Sequence, residues 1–349
     1  MTAKIPTIKV YLEKGQLISR PGMAGKVALI GAFDSVETNP VLCTSLTEAQ
    51  DTFGTDATYN GCSVLEPLYD GGVSSTLIMN FTTKSGQTAD KTLTTQKLTD
   101  CLAKIKGEDW DILFIAETLT DAFVPIIQEY LDECFEIKYP AGFIGVINGS
   151  TDADNVTTAG LVGEHCYGLL TQSFSVDGTA LTLLQSGAYY CGVIAGLNVG
   201  NTMTMKSIPH ITAITPELSF ENGGSGKILL EAGITTVKCQ DRGNANYIVV
   251  NSEQPNGLDL YVNRTRDFIV KEFALHQFLG ERNREATLNE IKQEIERVKD
   301  ICVNTLDLLE DINYRIVKKD ANCVDIYIDS LLFAGIITEI DMYVRIEVQ

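Results

Sequence analysis

The stretch Lys26-Val-Ala-Leu-Ile-Gly-Ala-Phe33 decides the fold class of this chain. It is a short, continuous apolar run, which is typical of a strand buried on both faces of a sheet. Three further runs predict buried strands, at residues 75–81, 111–116 and 143–147. Helical patterns lie between them, at residues 44–54, 62–69, 98–105 and 122–134, and further helices are expected from about residue 157 and over the charged stretch 264–282. This alternation predicts an α/β layered domain, and the first strand–helix–helix–strand unit favours a parallel crossover.

Composition and charge limit the classes of protein to consider. The 349 residues are 44% hydrophobic and 21% charged, which is typical of a globular protein with a sizeable core and room for two domains. The net charge of −19 argues against nucleic acid or an anionic membrane surface as the main partner, because both favour a basic surface. Residues 261–320 are nearly neutral, with 11 Lys and Arg against 12 Asp and Glu, which indicates either a docking face or paired helix charges.

Cysteine usage and hydropathy indicate the compartment. The nine cysteines lie singly, without a CxxC pair or metal-ligand spacing, and predict buried free thiols in a reducing cytoplasm. The first residues show no signal-peptide core, and no apolar run approaches the roughly 18 residues that a membrane span needs. We therefore expect a soluble protein that is cytosolic when it is made.

No constellation of residues supports an active site. The histidines, His165, His210 and His276, lie far from one another and from any cysteine at metal-ligand spacing. The loop at residues 221–227 lacks the first Gly of a phosphate-binding loop, and Ile228 stands where Ser or Thr is needed. We therefore predict no catalytic, cofactor-binding or metal-binding residue, and no cofactor. Two alternatives stay open, an α/β hydrolase-like enzyme with an unrecognised site and a monomeric binding module.

One helical pattern carries a stripe of glycines. Gly192, Gly196 and Gly200 are spaced four residues apart and therefore lie on one helix face. The stripe predicts a helix that packs closely against a sheet. A membrane helix is excluded because the segment is too short and has polar flanks.

Both ends of the chain carry alternating, strand-like runs, at residues 7–13 and 337–349. The first run predicts either an edge strand of the main sheet or an arm that pairs elsewhere. Terminal strands can add to a neighbour's sheet, and two such arms would link subunits head-to-tail in an open helical lattice. The arm residues selected on this basis are Thr7, Ile8, Val10, Leu12, Ile340, Met342, Val344, Ile346 and Val348.

Four short motifs follow one another in the order found in one protein family. They are Ile30-Gly-Ala-Phe33 with Asn39-Pro-Val-Leu-Cys-Thr-Ser-Leu46 and Phe53-Gly54; Ala188-Tyr-Tyr-Cys-Gly-Val-Ile-Ala-Gly196 with residues 202–206; Glu231-Ala-Gly-Ile-Thr-Thr-Val237; and Arg264-Thr-Arg-Asp-Phe-Ile269 with Leu279-Gly-Glu-Arg-Asn-Arg284. These motifs span most of the chain. Through them the sequence resembles the tail sheath proteins of contractile phage tails and phage-tail-like bacteriocins, of the compact kind seen in Gram-positive systems.

The resemblance implies a fold and a division into domains. The fold would be a subtilisin-like layered α/β domain without catalytic residues, plus a smaller α+β C-terminal domain nearest the tail tube, with arms that exchange strands between neighbours. The outer decorating domains of longer sheaths are missing. The polar joint at residues 251–259 marks the expected boundary between the two domains. The expected parts are an N-terminal arm (1–21), the α/β domain (22–255, with a polar loop at 82–95), the C-terminal domain (256–336) and a C-terminal arm (337–349).

The resemblance also implies a function. Sheath subunits polymerise helically around a tail tube and, by contracting, drive the tube through a target cell envelope. The expected partners are other copies of the chain, the tail tube protein, and baseplate and tail-terminator proteins, with no nucleic acid and no membrane contact. We expect the protein to be made in the bacterial cytoplasm and to become part of a phage tail or tail-like particle.

A charged helical pattern at residues 284–302 supplies candidates for contact with the tube. One face is apolar and predicts core, at Leu288, Ile291, Ile295, Val298 and Cys302. A reversible contact suits exposed ion pairs, because these set the register without strong affinity. The candidates on the other faces, for which a plain solvated surface is the alternative, are Arg284, Glu285, Lys292, Glu296 and Lys299.

Overall fold

The structure is a computed structural model of the chain. It describes residues 11–12, 25–85, 88–137, 139–241, 246–273, 275–278, 281–319 and 324–333. The chain forms two compact units, a large unit (Pro21–Ala274) and a small unit made of Met1–Arg20 and Leu275–Gln349. The predicted boundary after residue 255 differs from this division, because the helix that follows it packs on a strand of the large unit.

The described residues form the following elements. The strands are β1 (Tyr11–Leu12), β2 (Val27–Gly31), β3 (Val41–Cys43), β4 (Thr76–Asn80), β5 (Thr83–Ser85), β6 (Thr88–Asp90), β7 (Ile112–Thr118), β8 (Gly142–Val146), β9 (Cys166–Leu170), β10 (Ser173–Val176), β11 (Thr179–Ala180), β12 (Ile211–Thr215), β13 (Val237–Asp241), β14 (Asn246–Val249), β15 (Asp311–Lys318) and β16 (Val324–Leu332). The helices are α1 (Leu46–Phe53), α2 (Asn60–Asp70), α3 (Thr95–Ile105), α4 (Val124–Glu136), α5 (Asp152–Ala159), α6 (Leu183–Gly196), α7 (Ser225–Glu231), α8 (Leu260–Glu272) and α9 (Glu285–Asp300). A 3-10 turn, Leu275–Phe278, precedes α9, and a π-helical turn, Ile301–Thr305, follows it.

The core of the large unit is a six-stranded sheet in the order β3-β4-β2-β7-β8-β9. β3 runs antiparallel to β4, and the other neighbours are parallel, which confirms the predicted parallel crossover from β2 to β4. Every residue of β2, β4, β8 and β9 is buried, because both faces of the sheet are covered. The five parallel strands have the order 2-1-3-4-5 of doubly wound sheets, so the predicted α/β class is confirmed.

Close packing of glycine holds α6 against α2. A Cβ atom on Gly192 would lie only 2.2 Å from the carbonyl oxygen of Leu68, near the end of α2. The predicted glycine stripe therefore meets a helix and not a sheet, and Gly200 lies beyond the end of α6. The glycine of α6 that faces the sheet is Gly187, where a Cβ atom would lie 2.2 Å from the Val146 side chain.

Several local predictions for the large unit need correction. The short strands β3 and β9 were not expected; β3 has three residues, of which one is buried, whereas β9 is a fully buried run like those of the predicted strands. The predicted polar loop at residues 82–95 contains the antiparallel hairpin β5–β6. The helix expected from residue 157 begins at Asp152, since Thr151 and Asp154 form a capping box there. The charged stretch at 264–282 is α-helical only as far as Glu272.

The small unit is a three-stranded sheet in the order β1-β16-β15, with α9 packed on β15. β15 and β16 are antiparallel, with an irregularity between Asn313 and Tyr314, and β1 is parallel to β16. The predicted apolar face of α9 is confirmed, because Ile291, Ile295 and Val298 are buried, as is Cys302 in the turn that follows. Leu288 on the same face is half-buried.

Candidate interaction surfaces

Backbone pairing places part of the N-terminal run on the sheet of the small unit. Tyr11 pairs with Tyr327, and Leu12 pairs with Ile328, in parallel. An edge strand of the main sheet is therefore the wrong interpretation for these two residues. Leu12 is the predicted arm residue that falls in the described part of the chain. Outside that part lie Thr7, Ile8, Val10, Ile340, Met342, Val344, Ile346 and Val348.

β15 forms an edge of this sheet. It pairs with β16 along its length, and no described strand lies on its other side. Side chains fix the register of the hairpin, since the Arg315 guanidinium lies 4.0 Å from the centre of the Tyr327 ring and donates to Asp329 at 2.8 Å. An edge of eight residues, even with the irregularity at Asn313 and Tyr314, can offer backbone groups to a further strand.

Two of the five predicted tube-contact residues are bound to β15. Lys299 forms an ion pair with Asp311, and its Nζ donates to the Ile312 carbonyl oxygen at 3.2 Å. The hydrogen bond from Lys299 holds the pKa of Asp311 below its usual value. Glu296 accepts a hydrogen bond of 2.6 Å from the Tyr314 hydroxyl, and burial together with this carboxylate raises the pKa of Tyr314. These charges attach α9 to its own sheet.

The other three predicted residues, Arg284, Glu285 and Lys292, are exposed. Arg284 occupies the N-cap position of α9 without a capping hydrogen bond from its side chain. Glu285 and Lys292 are seven residues, or two turns, apart and therefore share a helix face. None of the three side chains forms a hydrogen bond or an ion pair with another residue in the described part of the chain. The structure thus separates charges that serve the small unit itself from charges that are available for contact.

The crevice at which doubly wound sheets bind ligands is filled. It lies at the carboxyl ends of β2 and β7, where the strand order reverses. The Gly61 N–H of α2 donates to the Ala32 carbonyl oxygen at 2.8 Å, and a Cβ atom on Gly61 would lie 2.6 Å from the Phe33 ring. Beside it, Asn60 donates to Glu117 at 3.0 Å, and burial raises the pKa of Glu117. The first turn of α2 therefore occupies the space that a ligand takes in such folds.

The histidines of the described residues lie apart from one another. His165 is buried near Asp132, and His210 is exposed beside Asp177, at 3.3 Å. The side chain of His276 is outside the described part of the chain. Within that part, no group of three or more His, Cys, Asp or Glu side chains could hold a metal ion. None of the described helices combines the length and the apolar character that crossing a membrane requires.

A polar cluster at the start of α8 was not expected from the sequence. Asp259, the N-cap residue, accepts hydrogen bonds from the hydroxyls of Ser252 (2.6 Å), Thr204 (2.9 Å) and Thr202 (3.0 Å). It also accepts a hydrogen bond from the N–H of Tyr261 at 3.0 Å. An Asp before an apolar helix is a sequence signal for a cap, but Thr202 and Thr204 lie more than fifty residues earlier in the chain. The cluster joins this earlier segment to the loop that leads into α8.

Comparison with known proteins identifies the fold. No protein-family model matches the sequence, and no curated protein matches it. The crystal structure of a sheath tail protein from Desulfitobacterium hafniense is 13% identical, with a TM-score of 0.66 over 90% of this chain and 94% of that chain. A chain of the anti-feeding prophage baseplate is 11% identical, with a TM-score of 0.67 over 99% of this chain and 100% of that chain. A chain of the contracted helical sheath of the anti-feeding prophage is 10% identical, with a TM-score of 0.65 over 100% of this chain and 99% of that chain. This chain has the fold of those proteins.

Proposed function

We propose that this chain is a structural subunit of a contractile tail sheath, which polymerises helically around a tail tube and, by contracting, drives the tube through a target cell envelope. The observation that carries the proposal is the likeness to a sheath tail protein and to a contracted helical sheath, which covers at least 90% of this chain. The filled crevice at the carboxyl ends of β2 and β7 also favours a structural role over an enzyme.

Strand addition at the small unit is the proposed mode of assembly. The free edge of β15 supports it, because an edge of this kind can accept a strand from a neighbouring subunit. The arms at residues 1–21 and 337–349 would supply such strands and keep the lattice connected while subunits turn as rigid bodies. The subtilisin-like layering of the large unit and a position of the small unit next to the tube stay predictions.

Contact with the tube is assigned to the exposed charges of α9, Arg284, Glu285 and Lys292. The distribution of charge supports a contact on the small unit. The large unit has 14 Lys and Arg against 30 Asp and Glu, a net charge of −16, whereas the small unit has 13 against 16, a net charge of −3. An approaching acidic surface is therefore repelled much less by the small unit than by the large one.

The remaining partners follow from the same proposal. The likeness to a chain of the anti-feeding prophage baseplate supports association with a baseplate. A tail-terminator protein would bind the other end of the sheath. The protein would be made in the bacterial cytoplasm and carried in the assembled tail or tail-like particle.

Size and shape of the purified protein test the proposal. We expect tubes or rings in negative-stain images and an early peak in size-exclusion chromatography. A single peak at the monomer mass of 38.1 kDa would favour the enzyme or the binding module. Deleting residues 340–349 should leave a folded protein that no longer assembles. Sheaths of normal length from this variant would contradict the role of the C-terminal arm and leave the sheath function standing.

A further inference from the structure

Helix α8 covers the outer edge of strand β9 in the large unit. The Asn263 amide donates to the Cys166 carbonyl oxygen at 3.3 Å, and the Tyr167 hydroxyl donates to Asp267 at 2.7 Å. Ten of the thirteen residues of α8 are buried, although several of them are charged. The helix therefore needs internal partners for its charges, and it covers the start of an edge strand whose other end, at Leu170, is bridged to Thr235.

His165, directly before β9, supplies one of these partners. Its side chain is about 4% exposed, and its Nδ1 lies 3.1 Å from Nη2 of Arg266 on α8. A guanidinium only donates hydrogen bonds, so Nδ1 must accept with its lone pair. The proton of the neutral ring is therefore on Nε2, which lies 3.4 Å from a carboxylate oxygen of Asp132 on α4. The neutral imidazole bridges α4 and α8.

Burial, together with the Arg266 guanidinium, makes protonation of His165 unfavourable, although three carboxylates lie nearby. On α8, the Asp267 carboxylate already accepts hydrogen bonds from Nε of Arg266 at 2.9 Å and from the Tyr167 hydroxyl, one on each oxygen. On the histidine's own loop, Glu164 is bound to Arg266 through Nη1 at 3.4 Å. On α4, the Asp132 side chain is 67% exposed and screened by solvent. A proton on Nδ1 would remove one acceptor of Arg266, whose Nη2 also donates to the Glu164 carbonyl oxygen at 3.2 Å, and would place two cations side by side.

We propose that His165 makes the attachment of α8 to β9 sensitive to acid. Burial, and the neighbouring guanidinium, lower the pKa of His165 against the opposing effect of the three acids. The folded protein therefore keeps the ring neutral at pH values where the unfolded chain, with an ordinary value near 6.5, already binds a proton. Stability is fully present above that value and is lost as the pH falls through it towards the folded-state pKa. The loss concentrates on α8, the last helix before the chain passes into the small unit. The inference does not rest on the sheath function.

Hydrogen exchange of the full-length protein, corrected for the intrinsic pH dependence of exchange, tests it. Between about pH 7.5 and pH 5 we expect protection of the α8 amides to fall by about tenfold or more, while β2 and β7 stay protected. In His165→Gln, a neutral side chain that can accept from Arg266 and donate to Asp132, this pH dependence should disappear. His210→Gln, which changes an exposed histidine, should behave as wild type. Equal loss of protection in wild type and His165→Gln would overturn the proposal.

Imidazole NMR of the wild-type protein gives a second measurement that needs no variant. With three histidines in the chain, the signals can be separated. We expect the ring of His165 to be protonated on Nε2 alone near neutral pH and to titrate below its ordinary value of 6.5, with the loss of α8 protection following its titration. A ring at position 165 that carries its proton on Nδ1, or that titrates above about pH 6.5, would also overturn the proposal.

Discussion

Lys299 of α9 forms an ion pair with Asp311, the first residue of β15. About a third of each side chain is exposed, and the same ammonium group donates to the Ile312 carbonyl oxygen. The pair therefore joins the helix to the strand with the free edge. Lys292 lies on the same helix, is exposed and has no such partner within the described residues. These two lysines allow the proposed contact with a tube to be tested separately from the stability of the small unit.

Lys292→Glu should weaken attachment of the sheath to the tube without changing the fold or self-assembly. Each exposed charge contact contributes about 1 kcal/mol or less, so we expect the affinity of each subunit for the tube to fall roughly two- to fivefold. The measurement is co-sedimentation of sheath with purified tube at low and high salt. Lys206→Glu makes the same charge change at an exposed position of the large unit and should have no effect. Tube binding that survives Lys292→Glu unchanged would remove this residue from the contact.

Lys299→Glu should instead lower the stability of the small unit, because it replaces the ion pair with Asp311 by two carboxylates that repel each other. We expect a loss of about 1 kcal/mol or more, seen as faster hydrogen exchange in α9 and β15. The double variant Lys299→Asp, Asp311→Lys exchanges the two charges and should recover part of the lost stability. In the wild type, the low pKa of Asp311 means that the pair stabilises the fold above the ordinary carboxyl value of 3.8 and is lost as the pH falls below it. If Lys299→Glu is as stable as wild type, the ion pair contributes nothing to the stability of the small unit.

Sequence periodicity identified which face of α9 is core, but it could not separate the two kinds of charge on the other faces. Asp311 and Tyr314 reach α9 only after the chain has turned back into β15, so local spacing holds no signal for them. The same limit applied to α8. Charged residues in a helix predict an exposed surface, yet Arg266 and Asp267 are buried because they satisfy each other and because Tyr167 supplies a further bond.

Asp259→Ala should destabilise the large unit by about 3 kcal/mol. It removes the N-cap of α8 and leaves three hydroxyl groups without their acceptor. Asp259→Asn keeps a capping oxygen and should cost about half as much. Urea unfolding followed by fluorescence of Trp110, the single and buried tryptophan, reports on this unit. Equal stability of the two variants would mean that the hydroxyl cluster, and not the cap, carries the effect.

The buried strands of the main sheet could be predicted from the sequence because each is a continuous apolar run, and a strand covered on both faces needs no polar residue. β9 (Cys-Tyr-Gly-Leu-Leu) has the same length and a similar pattern to the run at residues 143–147 that was predicted, so its omission has no basis in the sequence. The glycine spacing in α6 gave the face of close approach correctly. It could not give the partner, since Leu68 of α2 is more than a hundred residues away in the sequence.

Gly192→Ala should be among the more damaging single-methyl additions to the large unit. The new Cβ atom would lie 2.2 Å from the Leu68 carbonyl oxygen and 2.9 Å from Gly71 Cα, and backbone atoms cannot move aside as a side chain can. Relief requires α6 and α2 to separate, at a cost of about 2–3 kcal/mol. Gly196→Ala, one turn later on the same face, is the matched control. Its Cβ atom would lie 3.3 Å from the Gly72 carbonyl oxygen, so we expect stability within about 1 kcal/mol of wild type. Urea unfolding monitored through Trp110 compares the two. If both variants have the stability of wild type, the contact between α2 and α6 is looser than these distances require, and the glycine stripe has no part in packing the two helices.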